Sequence, residues 1–201
     1  TGKKAFVQNA HLADRFVVFA QVDEAAGWNG IGAFVVKKGD GVHVGPRHDT
    51  LGLDAVDFGT LSLESVRVPA EDRLLGGGDV ALAALRFFLQ QGLLVAARAV
   101  GMSRAAFEVS REYCDGRKAF GKPIGHFQAV AFKLADRLID AESARWMVWR
   151  AATLWDAGKD DREAMRRSAQ AIAHALEVAM RCGDDAVQLH GGAGFMRDYP
   201  V

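Results

Sequence analysis

A change of composition near Gly78 constrains the fold of this chain more than any single motif does. Residues 1–78 hold 12 of the 22 glycines, 11 valines and only 9 alanines, whereas residues 79–201 hold 25 alanines and 9 valines. β-Branched residues mixed with turn-formers favour strands, and long alanine-rich stretches with few breakers favour helices. The expected class is therefore α+β. A β-barrel or sandwich domain over 1–78, incomplete at its start, precedes an antiparallel up-down helical bundle over 79–201, incomplete at its end. The boundary falls at Gly76-Gly77-Gly78.

In the first part the apolar runs 16–20 and 33–36 are bounded by Gly, Asp and Asn, while 42–44 and 61–63 alternate, all strand signals. In the second part punctuation predicts three helices. The first runs from an N-cap at Asp79 to about Asp115, before Gly116. The second runs for more than thirty residues from near Pro123 to Gly158, with Phe127, Val130, Leu134, Leu138, Ala141, Val148 and Ala152 at helical spacing. The third runs from about Asp161 to His190 and is stopped by Gly191-Gly192. Gly92 and Gly101, inside the first helix, each cost about 1 kcal/mol relative to Ala, so close packing is expected at both. Trp146, Trp149 and Trp155 share the second helix and are expected in a core or an interface. Three such helices want a fourth, from further chain or from another subunit.

Charge and cysteine usage exclude several functions. Twenty-five basic against 25 acidic residues give a formal net charge of zero, which lacks the basic surplus of a nucleic-acid binder. Cys114 and Cys182 stand far apart without metal spacing, which argues against disulfides and zinc and points to a reducing, cytoplasmic compartment. Apolar runs are broken by Arg, Gln or Asp well before the ~20 residues a bilayer span needs, so no membrane span is expected. The first residues, Thr1-Gly2-Lys3-Lys4, lack Met and any apolar signal core, and read as a cut from something longer.

Common catalytic patterns are missing: there is no Gly-x-Ser-x-Gly, no His-Glu-x-x-His, no phosphate loop and no intact Gly-x-Gly-x-x-Gly. The six histidines are scattered singly, and each is expected to be a surface or satisfied structural residue. Two segments instead carry residue types that suit a pyrophosphate. Arg117-Lys118-Ala119-Phe120-Gly121 followed by Gln128 offers a guanidinium fork, an apolar ring and an amide. An ordinary helix-helix turn would use the same residues. Gln188-Leu189-His190-Gly191-Gly192-Ala193-Gly194-Phe195 ends a helix in three glycines, where one would suffice to stop it.

Taken together, these segments resemble the acyl-CoA dehydrogenase family. Arg117 to Gly121 with Gln128 matches the family's Arg-x-x-Phe-Gly turn and following Gln, and Gln188 to Phe195 matches its Gln-x-x-Gly-Gly-x-Gly segment, continued by Tyr199-Pro200-Val201. The strand from Gly2 to Ala10, Leu51-Gly52-Leu53 and Val66-Arg67-Val68-Pro69 resemble its middle β-domain. The resemblance implies FAD, an acyl-CoA or related thioester substrate, an electron-transfer flavoprotein as acceptor, and a homotetramer built as a dimer of dimers. It also implies that Arg117, Phe120, Gln128, Gln188, Gly191 and Gly192 serve the cofactor of a neighbouring subunit. Phe6 and Gln8 would lie beside the flavin ring. Family chemistry takes an α-proton from the thioester and passes a β-hydride to the flavin. The catalytic base is unknown here: where some relatives carry a glutamate and an arginine on the first bundle helix, this chain has Gln91 and Gly92. Arg98 replaces a small residue, and Gln8 replaces a threonine. A noncatalytic homologue that binds FAD for a partner chain, or a flavin oxidase or monooxygenase, are the alternatives.

Overall fold

The computed structural model describes residues 1–75 and 80–201, so the boundary expected at Gly76-Gly77-Gly78 and the Asp79 cap lie outside the described residues. The chain forms two compact units, Thr1–Leu85 and Arg86–Val201. The first contains β1 (Gly2–Gln8), β2 (Arg15–Gln21), β3 (Ile31–Lys37), β4 (Val42–Val44), β5 (Phe58–Leu63) and β6 (Arg73–Leu75). These form two antiparallel three-stranded sheets, ordered β1-β5-β4 and β2-β3-β6. Alternation explains the burial: Phe16 and Val18 turn inward on β2, Leu61 and Leu63 on β5, and Val36 and Val42 complete the cluster.

β1 is irregular where it matters later. Lys4 faces Leu61 and Val7 faces Gly59, so three steps on β1 oppose two on β5. That extra residue is a β-bulge, and Phe6 within it has φ +54°.

The helical unit is built from α1 (Val80–Gly116) from Arg86 onward, α2 (Gln128–Ala157) and α3 (Asp161–His190). Their shared seam is made of small side chains: Ala96, Ala99, Ala144, Ala151, Ala171 and Ala175 are buried with Val178 and Cys182. Polar members of the seam bond locally. Ser168 donates to the Ala164 carbonyl and accepts from Trp155 Nε1, each at 2.8 Å. An ion cluster ties α2 to α3, with Lys133 and Arg137 on Asp185, and Arg137 and Arg181 on Asp140.

Several expectations are corrected. α2 starts at Gln128, not near Pro123, and has 30 residues, because Pro123 is extended (ψ 141°) at the end of a short hairpin. α1 is long and apolar enough by length and composition to cross a bilayer, which unbroken-run counting missed because Arg86, Gln90 and Gln91 interrupt its apolar stretch without dominating it. Bundle helices share that character, α1 sends Leu93, Ala96 and Ala99 into the seam, and no span is supported. At Gly92 an added Cβ would sit 2.5 Å from Ile172 Cδ1, as close packing requires; at Gly101 nothing lies within 4 Å, so this chain supplies no packing reason for it. The expectation for the tryptophans is not contradicted: Trp155 packs on the seam, and Trp146 and Trp149, 61% and 47% exposed and edge-on at 5.1 Å, lie outside this chain's core.

The Asp160 side chain accepts from the Glu163 backbone N–H at 3.0 Å and caps α3. Asp160→Ala is expected to lower stability by about 1 kcal/mol, read as a lower denaturant midpoint with unchanged slope.

Candidate functional site: a cleft at the helix ends

The ends of α1 and α3 come together around a cleft of about 400 Å³. Arg117 follows α1 directly, its backbone N–H bonded to the Tyr113 carbonyl at 2.8 Å. Gln188, Gly191 and Gly192 come from the end of α3, and Tyr113, Ile124, His190 and Tyr199 complete most of the lining. One guanidinium and no carboxylate face this space among the described lining residues. Such a wall attracts an anion, and a guanidinium fork matches phosphate oxygens.

Two of the three glycines have a reason within the chain. Gly191 has φ +56° and ψ −129°, a region essentially reserved for glycine. A Cβ on Gly194 would lie 2.5 Å from the Val187 carbonyl oxygen. At Gly192 nothing lies within 4 Å, so the chain itself gives no reason for the missing side chain. A ligand approaching the backbone would.

Phe120 and Gln128 are not in the lining of this cleft. Lys118–Ala119 (β7) pairs with Lys122–Pro123 (β8), and the two residues between them, Phe120 and Gly121, have φ +51° and +83°. Positive φ at both central positions is the mark of a type I′ hairpin. Holding phenylalanine there costs roughly 1–2 kcal/mol. Its ring is nonetheless 96% exposed, touching Phe127 edge-on at 6.3 Å. Strain spent on exposing an apolar ring favours a contact outside this chain. Gln128 is the exposed first residue of α2.

Phe6 and Gln8 belong to the other unit, two residues apart on β1, and both are exposed. Phe6 lies 5.1 Å from the His48 ring. The loop beyond them is anchored by His11, whose backbone N–H donates to Asp57 Oδ2 at 2.8 Å, while Nδ1 meets Asp57 Oδ1 at 2.7 Å and Nε2 meets the Gly45 carbonyl at 2.8 Å. The backbone N–H of His11 is the main reason the Asp57 carboxyl lies below its ordinary value; the His11 ring helps and burial opposes it.

His190 corrects the expectation that every histidine is exposed or satisfied. It is 3% exposed; Nδ1 bonds the Ala186 carbonyl at 2.8 Å, but Nε2 is buried without a partner. Tyr113 stacks on the ring at 4.2 Å and Tyr199 meets it edge-on at 5.6 Å. Sequence offered one signal for this cluster, Tyr113 lying one helical turn before Arg117. Cys114 and Cys182 supply no nucleophile, since burial is the main cause pushing both thiols upward.

Residues 1–66 match the family model for the acyl-CoA dehydrogenase middle domain, and residues 81–201 match that for the acyl-CoA dehydrogenase C-terminal domain. The chain belongs to the acyl-CoA dehydrogenase family. It is 37% identical over its whole length to a short-chain-specific acyl-CoA dehydrogenase of Clostridium acetobutylicum, covering 52% of that relative. It is 35% identical to subunit CarC of the caffeyl-CoA reductase-Etf complex of Acetobacterium woodii, again over all of this chain and 52% of the relative. The solved butyryl-CoA dehydrogenase of Megasphaera elsdenii superposes with a TM-score of 0.91 at 36% identity, over 99% of this chain and 51% of that one. The chain thus spans about half the length of the relatives it matches. The acyl-CoA dehydrogenase family is FAD-dependent.

Two outcomes follow from these contacts. Gly194→Ala is expected to destabilise the protein by more than about 1 kcal/mol through the Val187 carbonyl, whereas Gly192→Ala is expected to leave thermal unfolding within about 0.5 kcal/mol of the parent. The depressed Asp57 carboxyl stabilises the fold fully above its ordinary value of 3.8, and that contribution is lost as pH falls through its lower folded-state value. Denaturant midpoints recorded from pH 6 to about 2.5 are expected to show an acid-side loss that Asp57→Asn lacks.

Proposed function

We propose that this chain is the middle and C-terminal portion of a FAD-dependent oxidoreductase that dehydrogenates an acyl thioester between its α and β carbons. The observation that carries this reading is the convergence of Arg117 with the Gln188–Gly192 turn on one cleft whose described lining holds no carboxylate and includes Gly192, a glycine that the chain's own packing does not require. In this reading Arg117 pairs with the pyrophosphate, and Gln188, Gly191 and Gly192 bring amide groups to the pyrophosphate or adenosine portion. Phe120 and Gln128 contact the adenosine and the adjoining chain, and Phe6 and Gln8 lie against the flavin ring. When bound, the flavin supplies the hydride acceptor that no side chain can provide.

The parts would meet in a homotetramer built as a dimer of dimers, with the cleft residues of one subunit serving the cofactor held by its neighbour. The exposed Phe120 ring and the exposed Trp146–Trp149 pair supply apolar surface for such contacts. An acyl-CoA is the substrate class, and an electron-transfer flavoprotein the acceptor; the Etf named with the Acetobacterium woodii relative supports the latter.

A second reading has its own observation. Gln91 and Gly92 put neither a carboxylate nor an arginine where some relatives carry them, and Gly92 is pressed against Ile172. A noncatalytic chain that holds FAD for a partner would keep the cleft and lose the base.

The purified protein is expected to carry a visible flavin band that bleaches when acyl-CoAs are added without oxygen. Bound flavin that no acyl-CoA bleaches would favour the noncatalytic reading. Arg117→Ala is expected to weaken FAD binding at least about tenfold, the scale of one charge-assisted contact. Unchanged affinity in that variant would remove the phosphate role of the cleft.

A further inference from the structure

Among the described residues lining the cleft, His190 alone has a buried side-chain polar atom without a hydrogen-bond partner. Its Nδ1 faces a carbonyl, an acceptor only, so Nδ1 carries a proton and donates to Ala186 at 2.8 Å. Nε2 has neither a partner nor solvent. Leaving a buried polar atom so costs about 1–3 kcal/mol, which a bond from outside the chain would offset.

Every element around the ring is identifiable. α1 presents Tyr113, stacked on the imidazole, and the residue following α1 is Arg117. The short turn before α2 presents apolar Ile124, and the tail beyond the glycine turn presents Tyr199 edge-on. Arg197 and Asp198 precede Tyr199 but do not line the cleft, and the buried Cys114 thiol beside Tyr113 does not line it either. Among the described lining residues, then, no carboxylate is available to an imidazolium at this place.

We propose that His190 Nε2 is a concealed donor to a phosphate oxygen in this cleft, uncovered by a small displacement of Tyr199, so that the ligand enters together with one proton. The inference rests on the reading that the cleft takes the pyrophosphate of FAD, and deepens it. Facing an anion, a bare ring nitrogen is repelled and a protonated one donates, so a proton from solvent moves onto Nε2 and its N–H bonds the phosphate oxygen. No bond within the ligand is broken. Arg117 anchors the charge from the open side, and His190 completes its hydrogen bonding from within.

The test is titration of the flavin-free protein with FAD from about pH 6 to pH 8, the range in which imidazoles titrate. Affinity is expected to fall as pH rises, by up to about tenfold per pH unit for a one-proton linkage. Calorimetry at pH 7 in two buffers of different ionisation enthalpy is expected to report net proton uptake. His190→Phe keeps a ring for Tyr113 to stack on and removes the nitrogen; it is expected to abolish the pH slope and weaken binding at pH 6 about tenfold. A variant that keeps both slope and affinity overturns the proposal, even while Arg117→Ala still weakens FAD and the cofactor reading stands. FAD that fails to bind at any pH overturns both. Should His190→Phe not fold, the 15N resonance of His190 Nε2 in the parent protein decides: FAD is expected to move it from the bare to the protonated position, and an unmoved resonance refutes the donor role.

Discussion

The seam of small side chains between the three helices is the constraint on which the rest of the helical unit depends. Ala96, Ala99, Ala144, Ala151, Ala171 and Ala175 are all buried there, and small residues at a helix contact let the axes approach to the short end of the usual 8–10 Å range. Leu93, Val148 and Val178 add larger buried side chains to that alanine stripe, and Trp155, Met147 and Ile172 pack at its border. Aromatic bulk gathers at the helix ends, where Tyr113, His190 and Tyr199 stack around the glycine turn. The cleft is a consequence of that arrangement. It opens where a tightly packed α1 and α3 finish and the chain must turn away, so its walls are a helix end, a glycine turn and a guanidinium rather than the seam itself.

Backbone strain falls on three of the residues expected to contact the cofactor, two in the helical unit and one in the β unit. Phe120 is held at positive φ in a hairpin turn and Gly191 in a glycine-only conformation, while Phe6 sits at positive φ in the β1 bulge of the other unit. For non-glycine residues each such conformation costs roughly 1–3 kcal/mol. Neither phenylalanine recovers that cost by burial, since both rings are mostly exposed. Three expectations about cofactor contact, drawn from residue type and resemblance, thus fall on backbone outliers, which residue type alone does not reveal.

What was legible in the sequence was what short-range physics decides. Alanine content and punctuation place α3 at Asp161–His190, and strand alternation places Val42–Val44. Pro123 misled, because a proline acceptable in a first helical turn is equally at home in an extended strand, and the hairpin that decides the matter is closed by pairing Lys118 with Pro123. Gly101 misled for a related reason: sequence shows a glycine in a helix but not whether anything approaches it. In the candidate site, the residue types of Arg117, Gln188, Gly191 and Gly192 would equally suit ordinary helix turns, and the family resemblance is what singles them out; the fold brings all four to one cleft. Tyr113 and His190 could not be paired, because a stack between residues 77 positions apart leaves no periodic trace. His190 in particular looked like any single histidine until the fold gave one ring nitrogen a carbonyl and the other nothing.

The exposed faces of the helices follow from the same seam. A narrow buried stripe of alanines uses little of each helix circumference, so Leu94 and Met102 on α1, Phe132 and Ile139 on α2, and Met180 on α3 remain outside it. Single exposed apolar residues are ordinary, but a set of this size spread over three helices exceeds what a lone domain usually shows. α1 illustrates the consequence: it is apolar enough by composition to be mistaken for a bilayer helix, although its buried stripe and its ion pair from Arg86 to Asp161 belong to a bundle. The relatives it matches are about twice as long, and these apolar helix faces have no cover from the 201 residues of this chain. Cover supplied by other residues of the same polypeptide or by a second copy would bury α1 on more than one side. A helix placed in that way has no need of an amphipathic pattern, which is why its apolarity by itself carries no information about membranes.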